Sequence, residues 1–132
     1  ITVVSKACPL FVPLVEEGWI EDRVTDEVIA RYLHELKDYE VDALILGCTH
    51  YPLLRNAIGR YMGEDVKLVN PAYETAKSLK ELLTGHDLLN TGLERGHYSY
   101  YVSDGVDNFI TFADRVLPCD VKMTSLVNIE SY

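Results

Sequence analysis

The sequence predicts an α/β fold, with a mainly parallel sheet flanked by helices. Short apolar runs alternate along the chain with segments in which apolar residues recur at helical spacing. Residues 42–47 contain a continuous apolar run, which is typical of a parallel strand covered on both faces. Pro52 and Pro71 stand where helices are expected to begin, and glycines follow several expected helix ends.

The elements of the first half follow from these patterns. In chain order we expect a strand, a short helix, a long helix, the apolar strand and another helix, at residues 1–4, 12–17, 25–37, 42–47 and 51–61. Gly18 and Gly63 are expected to stop the first and last of these helices. The long helix carries apolar residues at helical spacing, with Thr25 as its expected N-cap and acidic side chains in its first turn.

The second half continues the alternation. We expect a strand, a helix, a loop, a strand, a helix and a last strand, at residues 66–69, 71–83, 86–96, 98–102, 107–116 and 121–127. Tyr98, Tyr100 and Val102 alternate as in a strand with two faces, rather than forming a platform for stacked bases.

Composition excludes several classes of function. The 132 residues carry a net charge of −9, which is the wrong sign for a nucleic-acid binder, and no apolar run is long enough for a membrane span. The three cysteines are widely spaced, so neither a disulfide scaffold nor a structural metal is indicated, and a reducing, cytoplasmic setting is expected. Because the chain opens on a strand-like run without Met, we interpret it as a fragment of a longer protein.

The segment Gly47-Cys48-Thr49-His50, directly after the apolar strand, is the strongest candidate for chemistry. Free backbone N–H groups and the positive end of a following helix would favour the thiolate of Cys48. The alternative is a small buried cysteine. His50 could relay the proton of this thiol, or could simply donate to a neighbouring carbonyl.

Other residues are weaker candidates. In a parallel sheet, polar groups after successive strands meet at one edge, which would bring Ser5, Cys8 and Asn70 towards Cys48. Taken alone, Cys8 is interpreted as structural, Cys119 as structural or exposed, and Glu16 as a solvated helix end. The remaining histidines, His34, His86 and His97, show no metal-ligand spacing.

Residues 46–54, Leu-Gly-Cys-Thr-His-Tyr-Pro-Leu-Leu, are similar to the second cysteine motif of the glutamate racemase family, in the aspartate/glutamate racemase superfamily. Residues 7–18 and 68–72 resemble further segments of that family, and residues 101–104 with Phe109 do so more weakly. Aspartate racemases usually have Glu at the place of His50, so the match favours glutamate.

This resemblance implies a cofactor-independent, metal-free enzyme that interconverts L- and D-glutamate with two cysteines and supplies D-glutamate for peptidoglycan. Cys48 would be the second cysteine, facing the α-proton of L-glutamate. His50 would assist it, Glu16 would partner that histidine, and Thr49 would help to bind the substrate.

The family's Asp-Ser-Gly and Cys-Asn-Thr segments, with the first catalytic cysteine, are absent from this sequence. The chain therefore resembles the carboxy-terminal half of the enzyme, and we expect it to be inactive alone. Its expected partners are glutamate and the missing amino-terminal half, and a homodimer is left open. Residues 1–71 would form the later part of the second lobe, and 72–132 a crossover and return that completes the first. Two alternatives stay open: a relative acting on aspartate or a hydantoin, and a non-catalytic α/β binding domain.

Overall fold

The computed structural model describes residues 1–92 and 96–131. Its α-helices α1 to α5 span Phe11–Glu16, Arg23–Asp38, Arg55–Met62, Pro71–Gly85 and Val106–Val116. Its strands β1 to β4 span Ala43–Ile45, Lys67–Val69, Tyr101–Val102 and Ser125–Leu126. Two 3-10 helices lie at Tyr51–Leu54 and Ile129–Ser131. Residues 93–95 of the predicted loop lie outside the described residues. In the part of the chain that the structure describes, no helix is long and apolar enough to cross a membrane.

Both pairs of strands are parallel, which confirms the predicted α/β class. β1 pairs with β2 from Ala43 opposite Lys67 to Ile45 opposite Val69. β3 pairs with β4, with Tyr101 opposite Ser125. The pairs form two separate two-stranded sheets, one in each of two compact units, Ile1–Leu89 and Asn90–Tyr132.

The core of the first unit lies between α1, α2 and α3, beside β1. Its fully buried apolar side chains come from all three helices and from the 3-10 helix before α3: Phe11, Val15, Ile29, Leu54 and Ile58. The amphipathic pattern of the predicted long helix is therefore confirmed, because its apolar residues face this core.

The predicted N-cap of α2 is wrong. The helix begins two residues before Thr25, and the extended residue Asp22 caps it by accepting a hydrogen bond from the amide of Val24. Thr25 is instead buried in the first turn, where its hydroxyl donates to the carbonyl of Trp19. Both residue types cap helices well, so composition alone did not distinguish them.

The strand predicted for residues 1–4 is also wrong. These residues lie outside any described strand, and Ile1 and Val3 are largely exposed. A strand needs a hydrogen-bonded neighbour, and among the described residues β1 pairs only with β2. The prediction that β1 is covered on both faces is also wrong, since Ile45 is 66% exposed and no described element covers its side chain. The strands predicted for residues 98–102 and 121–127 shorten to two residues each.

The ends of the helices near the site are set by glycine, proline and capping side chains. α3 ends at Gly63, whose φ of 97° lies in the left-handed region that favours glycine. Asn70 caps α4 by accepting from the amides of Ala72 and Tyr73, and Pro71 takes the first helical position. α4 runs through Gly85, slightly past its predicted end. The short helix predicted at residues 12–17 is confirmed as α1.

Candidate active site

A tight turn takes the chain from the end of β1 to Cys48. The amide of Leu46 donates to the carbonyl of Val69 at 2.9 Å, which fixes the end of the strand against β2. The amide of Gly47 then donates back to Ile45 at 3.0 Å, and that of Cys48 to Leu46 at 2.9 Å. Two successive hydrogen bonds of this span fold the backbone sharply and turn residue 48 away from the sheet.

The helix after this turn differs from the prediction. Residues Tyr51–Leu54 form a 3-10 helix, and the α-helix begins only at Arg55. The amide of Cys48 is also used inside the turn. The free amide and the α-helix start that the sequence suggested beside Cys48 are therefore not found there.

The side chain next to the Cys48 thiol is the imidazole of His50. Its Nδ1 atom lies 4.0 Å from Sγ of Cys48 and 3.2 Å from the hydroxyl oxygen of Thr49. All three residues belong to the same turn, so this proximity is local. Cys48 and His50 are half-buried, whereas Thr49 is exposed.

Glu16 approaches the other side of the same ring. Its Oε1 atom lies 3.5 Å from Nε2 of His50, although the two residues are 34 positions apart in sequence. The His50 side chain is 24% exposed and the Glu16 side chain 60%. When Nε2 carries a proton towards this carboxylate, Nδ1 presents a lone pair towards the thiol, so the three groups form a thiol–imidazole–carboxylate relay.

Glu16 reaches His50 because α1 packs against the 3-10 helix. The buried ring of Phe11 contacts the ring of Tyr51 edge-on, with centroids 5.2 Å apart, and that of Tyr32 at 5.6 Å. The hydroxyl of Tyr51 donates to the carbonyl of Cys8 at 3.2 Å. Together these contacts hold the start of α1 beside the Cys48 turn.

The other cysteines have different surroundings. The Cys8 side chain is only 4% exposed, and burial raises the pKa of its thiol. Cys119 lies in the second unit, where its Sγ atom is 2.8 Å from the hydroxyl of Tyr100, a hydrogen bond that raises the pKa of Tyr100 to about 12. Of the three thiols, that of Cys48 is the one with a histidine nitrogen 4.0 Å away among the described residues.

The remaining predicted candidates fall outside the relay. The side-chain oxygen of Asn70 is used as a helix cap, and Ser5 lies in the segment that forms no strand. Within residues 1–92 and 96–131, no group of three or more histidine, cysteine or acidic side chains could hold a metal ion.

Parallel strands flanked by helices, with a histidine between a thiol and a carboxylate beyond one strand, define an α/β protein with a candidate cysteine site. No family model matches the chain. It is 49% identical over 117 residues to glutamate racemase of Geobacter metallireducens, covering 89% of this chain and 43% of that protein. It is 43% identical over all 132 residues to glutamate racemase of Thermoanaerobacter sp., covering 50% of that protein.

The fold agrees with these relatives. The crystal structure of glutamate racemase from Francisella tularensis, in complex with D-glutamate, superposes with a TM-score of 0.87 and 36% identity, covering 100% of this chain and 49% of that one. The chain belongs to the glutamate racemase family. It spans about half the length of the curated relatives it matches, which is consistent with the predicted carboxy-terminal half.

Proposed function

We propose that this chain supplies one of two catalytic thiols to a racemase that interconverts L- and D-glutamate without a cofactor. The observation that supports this most is the placement of His50 between Cys48 and Glu16. The names of the relatives supply the substrate, and the Francisella tularensis enzyme was crystallised with D-glutamate.

The reaction needs one proton removed and another returned. The thiolate of Cys48 takes the α-proton of L-glutamate, and the electron pair of the broken C–H bond stays on the α-carbon as a carbanion delocalised into the carboxylate. A thiol on the opposite face then protonates this carbanion and gives D-glutamate. In the reverse direction Cys48 acts as the acid, so the same group must hold a proton in one half of the cycle and lose it in the other.

The side chains around Cys48 suit this alternation. The lone pair of His50 at Nδ1 can accept the proton of the thiol across the 4.0 Å gap, once the two groups close to hydrogen-bond distance. The imidazolium that results is stabilised by the carboxylate of Glu16 at Nε2. Thr49, whose hydroxyl already lies beside the same ring, is positioned to bind the substrate.

A second thiol for the opposite face has to come from elsewhere. Cys8 is buried, and Cys119 lies beside Tyr100 in the second unit. We therefore propose that the other half of a protein as long as the relatives provides it, and that this chain alone does not racemise glutamate. In this proposal residues 1–71 belong to the second lobe, and residues 72–132 lead back to complete the first.

An open groove in the first unit supports the proposal that another part of the protein packs against it. It has a volume of about 930 Å³ and runs between residues 1–8 and β1. The amide of Lys67 donates to the carbonyl of Asp42, just before β1, and the amide of Leu46, just after β1, donates to the carbonyl of Val69, so residues 42 and 46 bond to the β2 side. Ala43, between them, directs its backbone groups towards the opposite edge. We propose that a strand of the other half of the protein fills this groove.

Circular dichroism of L- or D-glutamate incubated with protein tests the function. The full-length protein should bring either enantiomer to zero signal, and this chain should leave both unchanged. If the full-length protein leaves glutamate unchanged but acts on aspartate or on a hydantoin, glutamate is the wrong substrate. If it acts on none of them, the alternative of a non-catalytic binding domain is favoured. Production of D-glutamate for peptidoglycan in the cytoplasm, where thiols stay reduced, is the role we infer for the activity.

A further inference from the structure

We propose that Tyr51 is a positioning residue, which holds the carboxylate of Glu16 at its working distance from the imidazole of His50. This inference rests on the proposed function. The contacts that carry this effect join Tyr51 to the carbonyl of Cys8 and to the ring of Phe11, so it reaches Glu16 through α1.

The first support is a hydrogen bond that joins two distant parts of the chain. The hydroxyl of Tyr51 donates to the carbonyl of Cys8 at 3.2 Å, across 43 positions of sequence. The same carbonyl accepts the amide of Phe11 at 3.0 Å, the bond at the first residue of α1. The phenol of Tyr51 is thereby attached to the start of the helix that carries Glu16.

The second support is packing of the ring. Tyr51 contacts the buried ring of Phe11 edge-on at 5.2 Å, which fixes α1 sideways against the 3-10 helix. Glu16 lies five residues after Phe11, roughly 7.5 Å along the axis at 1.5 Å per residue. Tyr51 also directly follows His50, so one residue connects both members of the pair.

A direct role in proton transfer is unfavourable for Tyr51. Burial raises the pKa of its phenol, negative charge on the neighbouring Cys8 and Cys48 side chains raises it further, and the hydrogen bond to the Cys8 backbone offsets part of the rise. The phenol therefore keeps its proton at neutral pH and serves as a donor to the Cys8 carbonyl. Its contribution to the site is the placement of α1.

The variant Tyr51→Phe in the full-length protein tests this, because it removes the hydroxyl and keeps the ring. We expect kcat to fall by about 2- to 4-fold, no more than the loss of the Glu16 charge itself would cause, with KM little changed. We also expect the pH dependence of kcat, and of Cys48 alkylation by iodoacetamide, to move to higher pH. An imidazolium farther from Glu16 is less stabilised, so His50 accepts the proton of the Cys48 thiol less readily and the thiolate forms only at higher pH. Tyr61→Phe is the matched control and should change neither profile.

The two readouts separate the possible outcomes. A lower kcat with both pH profiles displaced supports the proposal. Profiles that superimpose on those of the unchanged protein overturn it, whatever happens to the rate, because a general loss of stability lowers the rate and leaves both pH profiles in place. If the full-length protein racemises nothing, the proposed function fails, and the alkylation profile still shows whether Tyr51 positions Glu16.

Discussion

The Nδ1 atom of His50 lies 4.0 Å from the Sγ atom of Cys48, on the ring edge opposite to the one that Glu16 approaches. One imidazole thus separates a thiol from a carboxylate, and its two nitrogen atoms have different partners. A histidine held in this way can take a proton at one atom while its charge is stabilised at the other.

Graded substitutions of this relay in the full-length protein should have graded effects. His50→Asn removes the group that accepts the thiol proton, and we expect kcat to fall on the order of 10²-fold. Glu16→Gln removes only a charge that is 60% exposed and screened by water, so we expect a loss below about 5-fold. Steady-state racemisation followed by circular dichroism measures both.

The neighbouring residue supplies the control for that series. Glu17→Gln makes the same chemical change at an exposed residue that caps the end of α1, and turnover should stay unchanged. A Glu16→Gln loss as large as that of His50→Asn would show that the carboxylate does more than stabilise the imidazolium.

Alkylation should distinguish the cysteines of this chain. Burial raises the pKa of the Cys8 thiol, so at neutral pH less of it is thiolate, and its side chain is only 4% exposed. We expect iodoacetamide to modify Cys48 well before Cys8, and modification of Cys8 to begin only at higher pH. Peptide mass spectrometry on timed samples measures this order, and denaturation in urea should abolish it. Faster labelling of Cys8 in the folded chain would contradict the burial of its thiol just before α1.

Two leucines in helices test where the core lies. Leu33, in α2, is 3% exposed, and Leu79, in α4, is 55% exposed. Leu33→Ala should lower the free energy of unfolding of the first unit by about 2–5 kcal/mol. Leu79→Ala should change it by less than about 0.5 kcal/mol in this chain. Fluorescence of Trp19, the single tryptophan, follows urea unfolding in both variants.

The helices were the most predictable part of the fold. Apolar spacing in α2 and the Asn70-Pro71 start of α4 are local signals, and the structure confirms both helices. The strand predicted at residues 1–4 failed because pairing depends on a neighbour that the local sequence does not contain. The exposure of Ile45 was also not predictable, because the cover of a strand face depends on elements distant in sequence.

The site was predictable in part. The resemblance singled out Cys48, Thr49, His50 and Glu16, and the structure places them in contact, while their roles stay predictions. Taken without the resemblance, Glu16 carries no local signal, because its approach to His50 depends on the packing of Phe11 against Tyr51. Tyr51 itself was not singled out, since a single hydrogen bond across 43 positions leaves no pattern in the sequence.

Racemisation by the full-length protein carrying Cys48→Ser tests the central claim most directly. A serine hydroxyl is a far weaker acid than a thiol, so we expect turnover from either enantiomer to fall on the order of 10²–10⁴-fold. Cys119→Ser, which can keep a hydrogen bond to Tyr100, should retain full activity. Unchanged turnover of the Cys48→Ser protein would contradict the assignment of Cys48 as an acid–base group.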